Sequence, residues 1–207
     1  MDILSERHMD ARGTTPHAWV HGMKGYVRRL VVLAAAMTCA ASATARDMSS
    51  AESSEYLIKA GYVYNFAKLV EWPAAVVRRG QPIVIGVMGN DAFATVLDRA
   101  VNGKKIDERP LLVKRLKNKD AKDCGCQILF VAAADSASTD DVIQSQSGTS
   151  VLTIAEAPDF ASRGGMIALI LQDSKVRFIV NVDAAAQASL SVSSRLLALA
   201  TVVHTSR

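Results

Sequence analysis

Four histidines, three cysteines and one glycine-bracketed turn are the residues whose chemistry must be weighed first. His8, His17 and His21 stand near the start of the chain, and only His204 lies beyond them. A Ser-His-Asp triad, a Cys-His pair and a histidine-rich metal site each need an imidazole near a nucleophile or other ligands, so this pattern argues against all three. His204 reads instead as a cation near a helix C-terminus. Cys124 and Cys126 are one residue apart. A Cys-x-Cys bridge closes a very small ring, and three readings stay open: a strained local disulfide, an intermolecular disulfide in a dimer, or two buried thiols. Two thiols alone do not make a tetrahedral metal shell. Gly86-Val87-Met88-Gly89 stands where a strand would turn into a helix, a place where backbone N–H groups can hold an anion. It lacks the dinucleotide fingerprint and the phosphate-loop lysine, so no cofactor is expected. Gly89 and Asn90 are the ligand-binding candidates there, against the plainer reading of a tight turn. Among carboxylates, Glu71 beside Trp72 has Lys68 three residues before it and reads as an ion pair. No set of residues is suited to covalent or acid–base catalysis, and a non-enzymatic protein is expected.

The chain has 207 residues and a formal charge of +4, with 50% hydrophobic and 21% charged residues. Residues 1–45 hold five basic and three acidic side chains, which leaves 19 basic against 17 acidic in 46–207. That near-neutral remainder gives no electrostatic case for nucleic acid. Met23 begins a second start. Lys24, Arg28 and Arg29 precede the apolar run Leu30 to Ala41, and Ala43-Thr44-Ala45 is a small-x-small cleavage site. The run is too short to span a bilayer, which takes about 20 residues. The expectation is a spurious extension over 1–22, a signal peptide over 23–45, which removes Cys39, and a periplasmic protein that does not itself span the membrane.

The elements that must position these residues follow from pattern. Nine aromatic residues follow Ala45, and five of them lie between Glu55 and Pro73: Tyr56, Tyr62, Tyr64, Phe66 and Trp72. Ser53 or Ser54 caps a helix of about five turns that Pro73 ends, with Glu55 and Lys59 spaced i,i+4 in the favourable order. Its apolar residues fall on several sides, so burial on more than one side is expected. Apolar runs at Pro82 to Gly89, Leu111 to Leu116, Cys126 to Ala133, Ser150 to Ala155 and Met166 to Leu171 read as strands. The basic stretch from Arg99 to Lys122 puts the second of these near an edge. Asn90 or Asp91 caps a helix over Asp91 to Val101, and Ser136 to Gly148 is a polar helix or loop. Val176 to Val182 alternates as a half-exposed strand of a hairpin. Asp183 caps a short helix, and Ser193 or Ser194 caps a final one with Leu196, Leu197, Leu199, Ala200 and Val203 on it. Strands alternating with helices predict one α/β domain over 51–205: a mostly parallel central sheet, helices on both faces, and a C-terminal antiparallel hairpin at one edge.

Lys59, Ala60, Tyr62, Tyr64, Asn65, Phe66, Ala67, Lys68, Glu71, Trp72 and Pro73 together resemble the N-terminal signature of the YfiR family, small secreted regulators of Gram-negative bacteria. Four further pieces fit in order: Ile83 to Val87, Cys126 to Val131, Phe160 to Ile167 with the glycine pair Gly164-Gly165, and Val176 to Asn181 followed by Ser193 to Ala200. The resemblance implies a periplasmic regulator that binds the periplasmic part of an inner-membrane diguanylate cyclase and holds it inactive, lowering cyclic di-GMP. It also implies a homodimer stabilised by disulfides, although this chain keeps only two cysteines after Ala45, close together. Tyr62, Tyr64, Trp72 and Met166 are the partner-binding candidates. The alternative is a periplasmic small-ligand-binding module feeding a histidine kinase or a transporter, with its pocket near Gly89 and Asn90.

Overall fold

The helix that carries the aromatic cluster, α1, spans residues 52–69 in the computed structural model, which describes 52–205 except 79, 118–119, 133–135 and the side chains of 136–137. The extension 1–22, the signal peptide 23–45, and Cys39 with them lie outside the described residues. Ser53 and Ser54 are inside α1 and do not cap it, and the helix stops short of Pro73. Val70 and Glu71 are already extended and form β1, because they pair antiparallel with Ser191–Val192, β9. A β-branched residue two short of the helix-breaking position gives up little helix propensity to make that ladder. The expected burial on several sides is not found. Ala60, Val63, Phe66, Ala67 and Val70 are buried along one stripe, while Leu57 and Ile58 are 61% and 51% exposed.

The remaining elements are β2 (Ile83–Met88), α2 (Asp91–Val101), β3 (Lys105–Ile106), β4 (Arg109–Leu116), β5 (Ile128–Val131), α3 (Ser136–Ser145), β6 (Leu152–Ala155), β7 (Ile167–Gln172), β8 (Lys175–Asn181), α4 (Val182–Gln187), α5 (Ser194–Leu197) and β10 (Thr201–Val203). The main sheet has eight strands in the order β10-β8-β7-β6-β5-β2-β4-β3. β4, β2, β5, β6 and β7 run parallel. Numbered among themselves they stand 2-1-3-4-5, the order of a doubly wound sheet whose direction of winding reverses between β2 and β5.

Alternation along the strands divides the core. Ile85, Val87, Ile128, Phe130, Leu152, Ile154, Ile167, Leu169, Phe178 and Val180 join α1, α2 and α4 on one face. Met88, Leu129, Val131, Ala155 and Ala168 join Val142 of α3, Phe160, Ala161 and the two cysteines on the other. Gly86 makes room on that second face: a Cβ there would lie 2.5 Å from Leu116 Cδ1 and 3.2 Å from Cys126 Sγ. A central strand buried on both sides has no polar alternation, which is why it reads in sequence as one apolar run.

Three expectations at the C-terminal end are corrected. The β7–β8 hairpin is antiparallel but is not the edge, because β10 adds outside it, parallel to β8. The last helix is a single turn, Ser194–Leu197, capped by Ser193. Val202 and Val203 leave it for the sheet, and Thr205 ties the tail down: its N–H donates to Asp183, and its hydroxyl accepts from Asn181. The cap of α4 is Asn181, not Asp183: Asn181 Oδ1 accepts from the Ala184 N–H at 3.0 Å. Asn181 is fully buried and also donates from Nδ2 to the Ala161 carbonyl at 2.7 Å, so one amide ties the β8 end, the 157–165 turns and the tail together.

Candidate functional site

In a 2-1-3-4-5 sheet the crevice for small ligands opens beyond the carboxyl ends of the strands, where the winding reverses. Three strand ends converge there in this chain. β2 leads into Gly89 and Asn90; β5 ends at Val131; β6 leads into Glu156, whose N–H donates to the Val131 carbonyl at 3.2 Å. Gly89 takes φ +86 in the turn, a conformation glycine adopts without strain. Asn90 caps α2 by accepting from the Phe93 N–H at 2.8 Å, as its position before an amphipathic run suggests.

The first two turns of α1 lie across these ends. Asn90 Nδ2 donates to the Tyr56 hydroxyl at 2.8 Å, and that hydroxyl donates to Glu52. The Tyr56 ring meets Phe93 edge-on at 5.8 Å, and Phe93 stacks on Phe130 of β5 at 4.4 Å. One turn on, Lys59 is 6% exposed and its ammonium contacts Glu156 at 2.5 Å, with Glu55 as its second carboxylate. Two carboxylates thus face one ammonium in a half-buried place. Burial raises the Glu156 carboxyl above the usual range, against the pull of Lys59. Burial pulls the Lys59 ammonium down, and its bonds to Glu156 and Glu55 more than reverse this, so its pKa is raised. The Tyr56 phenol is raised by its hydrogen bond to Glu52. The crevice therefore holds the chain's own side chains, joined by polar bonds and closed from below by aromatic rings.

Beside it, Gly89, Asp91, Arg115, Leu116 and Lys117 line an open depression of about 370 Å³. Arg115 is turned to the Thr95 hydroxyl at 2.9 Å. A second cavity, about 180 Å³, lies at the other end of the parallel strands, between the end of α3 and α4. Gln146, Thr153, Met166, Ala184 and Gln187 are among its lining residues, and none of that lining is charged. Among the described residues no group of three His, Cys, Asp or Glu side chains could hold a metal ion, and no helix is long and apolar enough to cross a membrane.

The partner candidates are not equivalent. Tyr62 is half-buried, its ring lies 5.3 Å from Phe178 and its hydroxyl donates to the Val176 carbonyl at 3.3 Å. Tyr64 is half-buried under two cations, with Lys104 Nζ 4.4 Å and Lys68 Nζ 5.6 Å from its ring centre. Lys68 thus lies at the Tyr64 ring, not in the expected pair with Glu71. Trp72 is half-buried, and its indole N–H is enclosed without an acceptor among the described residues. Met166 is 6% exposed and presents little to a partner. Cys124 and Cys126 are both buried, with their sulfurs joined and their Cα atoms 5.2 Å apart. His204 follows a strand, not a helix, and its ring nitrogen meets Asp183 at 3.2 Å. Sequence reasoning found Glu55–Lys59 from its spacing and Asn90 from its capping position. It missed Glu156, Tyr56 and Asn181, whose partners are distant in the chain.

A family model described as YfiR/HmsC-like matches residues 56–201. No curated protein matches the chain. Among solved structures, a conserved domain protein from Vibrio cholerae O1 biovar El Tor is 15% identical over 57% of this chain and 54% of its own, with a TM-score of 0.44. The ABC domain from Streptococcus pneumonia in complex with L-Trp is 10% identical over 58% and 55%, with a TM-score of 0.43. The chain spans about half the length of these two solved chains.

Proposed function

The chain belongs to the YfiR/HmsC-like family, and from that premise we propose that it is a periplasmic, non-enzymatic regulator that represses an inner-membrane diguanylate cyclase through the cyclase's periplasmic sensor domain. The family match over residues 56–201 is the observation that carries this reading. The site supports it in two ways. The crevice that would take a small ligand is occupied by Tyr56, Lys59 and their partners Asn90 and Glu156. The one histidine after position 21, His204, is tied to Asp183, away from that crevice, so the usual proton shuttle of hydrolytic chemistry has no place in it. The protein then acts by occupancy: it binds the sensor domain and shifts the cyclase toward its inactive state.

The test is genetic and biochemical together. Deleting the coding sequence raises cellular cyclic di-GMP, and expression with the leader 23–45 restores it while expression without the leader does not. A tagged copy captures an inner-membrane protein with a cytoplasmic cyclase domain. Unchanged cyclic di-GMP on deletion would overturn the reading. The alternative, a small-ligand module feeding a kinase or transporter, moves from the expected turn at Gly89 and Asn90, where Asn90 is taken up by the α2 cap and Tyr56, to the uncharged cavity between α3 and α4, and capture of a kinase or transporter in the same experiment would favour it.

A further inference from the structure

The outer edge of β4 has a neighbouring strand at one end only. β3 pairs with β4 at Arg109 and Pro110 and goes no further, because the chain turns away at Gly103, where φ is +72. The Leu111 N–H donates outward to the Lys104 carbonyl at 3.3 Å. Main-chain groups alternate in direction along a strand, so those of Val113 and Arg115 point outward with Leu111. β2 agrees. The Val84 and Met88 carbonyls accept from Gln127 and Ala132 on the β5 side, which leaves Ile85 and Val87 to bond Leu112, Lys114 and Leu116. Among the described residues, nothing bonds the N–H and C=O groups of Val113 and Arg115.

We propose that this edge takes an extended acidic segment of a partner protein as an added strand, in line with β3 and antiparallel to β4. Main-chain bonds to Val113 and Arg115 hold such a segment, and side chains set its specificity. Residues 109–117 carry four cations, Arg109, Lys114, Arg115 and Lys117, and no acid. The wider stretch 99–122 has nine basic and three acidic side chains, a net +6, whereas 46–207 as a whole is +2, so the rest of that span is −4. The positive charge is gathered at this edge. Opposite charges facing each other across a ladder are favourable and like charges are not. Lysine at an edge therefore guards against a like strand and admits an acidic one. A second β4 would bring the cations of both copies to one seam with no carboxylate between them. Lys114 is held by the Cys124 carbonyl at 3.1 Å and meets no carboxylate among the described residues. Arg115 leans on the Thr95 hydroxyl at 2.9 Å, with Asp91 at 4.0 Å, and stays half exposed. Leu112, 50% exposed, shares a face with Lys114, and half-buried Val113 shares the other with Arg115. The fitting segment thus sets apolar side chains beside Leu112 and Val113, and carboxylates beside Lys114, Arg115 and Lys117. The open depression lined by Arg115, Leu116 and Lys117 leaves room for its acidic end.

The edge and its charge stand apart from the cyclase reading, and the test is physical. The probe is a labelled, capped peptide, Glu-Thr-Glu-Glu-Val-Val-Thr, added to the purified chain and followed by fluorescence anisotropy. It should bind with a Kd of about 10–500 μM, the weak range of a short segment that orders itself on docking, and more weakly as salt rises. The same peptide methylated on its backbone nitrogens keeps its charge and loses its donors, and should bind at least about 10-fold more weakly. On binding, amide exchange should slow at Val113 and Arg115 and not in β10 at the opposite edge. Val113→Pro removes one outward N–H at an edge position, where proline is tolerated, and should abolish binding with the circular dichroism unchanged. Arg115→Gln with Lys117→Gln, both exposed, should lower the affinity about 3- to 10-fold at low salt. No binding at about 2 mM peptide overturns the proposal. So does equal binding of the methylated peptide, which means charge alone, or protection confined to β10. Binding of phosphatidylglycerol vesicles without binding of the peptide would assign the edge to a lipid surface and overturn it too, as would self-association of the chain through Val113 and Arg115.

Discussion

Replacing Lys59 by methionine tests whether the polar bridge between α1 and the sheet is a buried charge assembly. Methionine keeps most of the aliphatic stem and removes the ammonium. What remains is Glu156, with a side chain 17% exposed, beside Glu55, at 27%, and no cation. Removing one partner of a fully buried pair costs about 3–5 kcal/mol, and the residual exposure of the carboxylates reduces this to about 2–3 kcal/mol near pH 7. For a domain of this size that is a drop of roughly 5–10 °C in melting temperature. The pH dependence is more telling than the size. Glu156 already titrates above its ordinary value, so protonation favours the folded state: that contribution is full below the ordinary carboxylate pKa and is lost as pH rises through the raised one. Without Lys59 the shift grows, so the deficit of Lys59→Met should be largest at neutral pH and shrink toward pH 4. In the wild type the raised Lys59 contributes below its ordinary pKa, and this support is lost as pH rises through the raised value in strongly alkaline solution. Urea melts at several pH values measure both effects. Adding Glu156→Gln should recover at least half the loss, since the stranded charge is gone. A deficit under about 1 kcal/mol that does not change with pH would refute the reasoning, because a solvated ion pair behaves that way.

Asn181→Ala removes the α4 cap and leaves the Ala161 carbonyl without its donor in the core; about 2–4 kcal/mol should be lost in chemical denaturation, with proteolysis of the tail after Leu197 accelerated. Gly165→Ala should cost more than Gly86→Ala: the new methyl at 165 overlaps three atoms of the fully buried Phe160 ring, whereas at 86 it meets the tip of Leu116, which can turn away. Thermal melts should separate them as about 3 against about 1 kcal/mol. Changing Cys124 and Cys126 together to serine opens a very short loop, so stability should fall by no more than about 2 kcal/mol, and thiol titration of the unfolded wild-type chain should find neither sulfur free before reduction.

The strand series from Ile83 to Asn181 could be read from the sequence because a central parallel strand must be apolar on both faces and short, and turns with Gly or Asn bracket it. Asn90 was legible because capping is a local act between residues three apart. The family signature was legible for the same reason, as was the Glu55–Lys59 pair. The ends of elements were decided otherwise. Val70 leaves α1, and Val202 leaves the last helical turn, because a partner strand is present in each case, and local propensity cannot see a partner about 120 residues away in the first or about 20 in the second. The burial of α1 was misjudged for a related reason. Its apolar residues surround the helix, and only the assembled sheet selects which of them face inward and leaves Leu57 and Ile58 outside. The bridge from Lys59 to Glu156 spans 97 positions and the bond from Tyr56 to Asn90 spans 34. Neither has a sequence signal, since a side-chain bond between distant residues depends on where the strands end in space. The sequence by itself determined the layers, the order of the longer strands and helices, and the family. The tertiary structure alone decided that the crevice is closed from within and that the helix over it presents an open face, because both depend on packing that only the finished fold supplies.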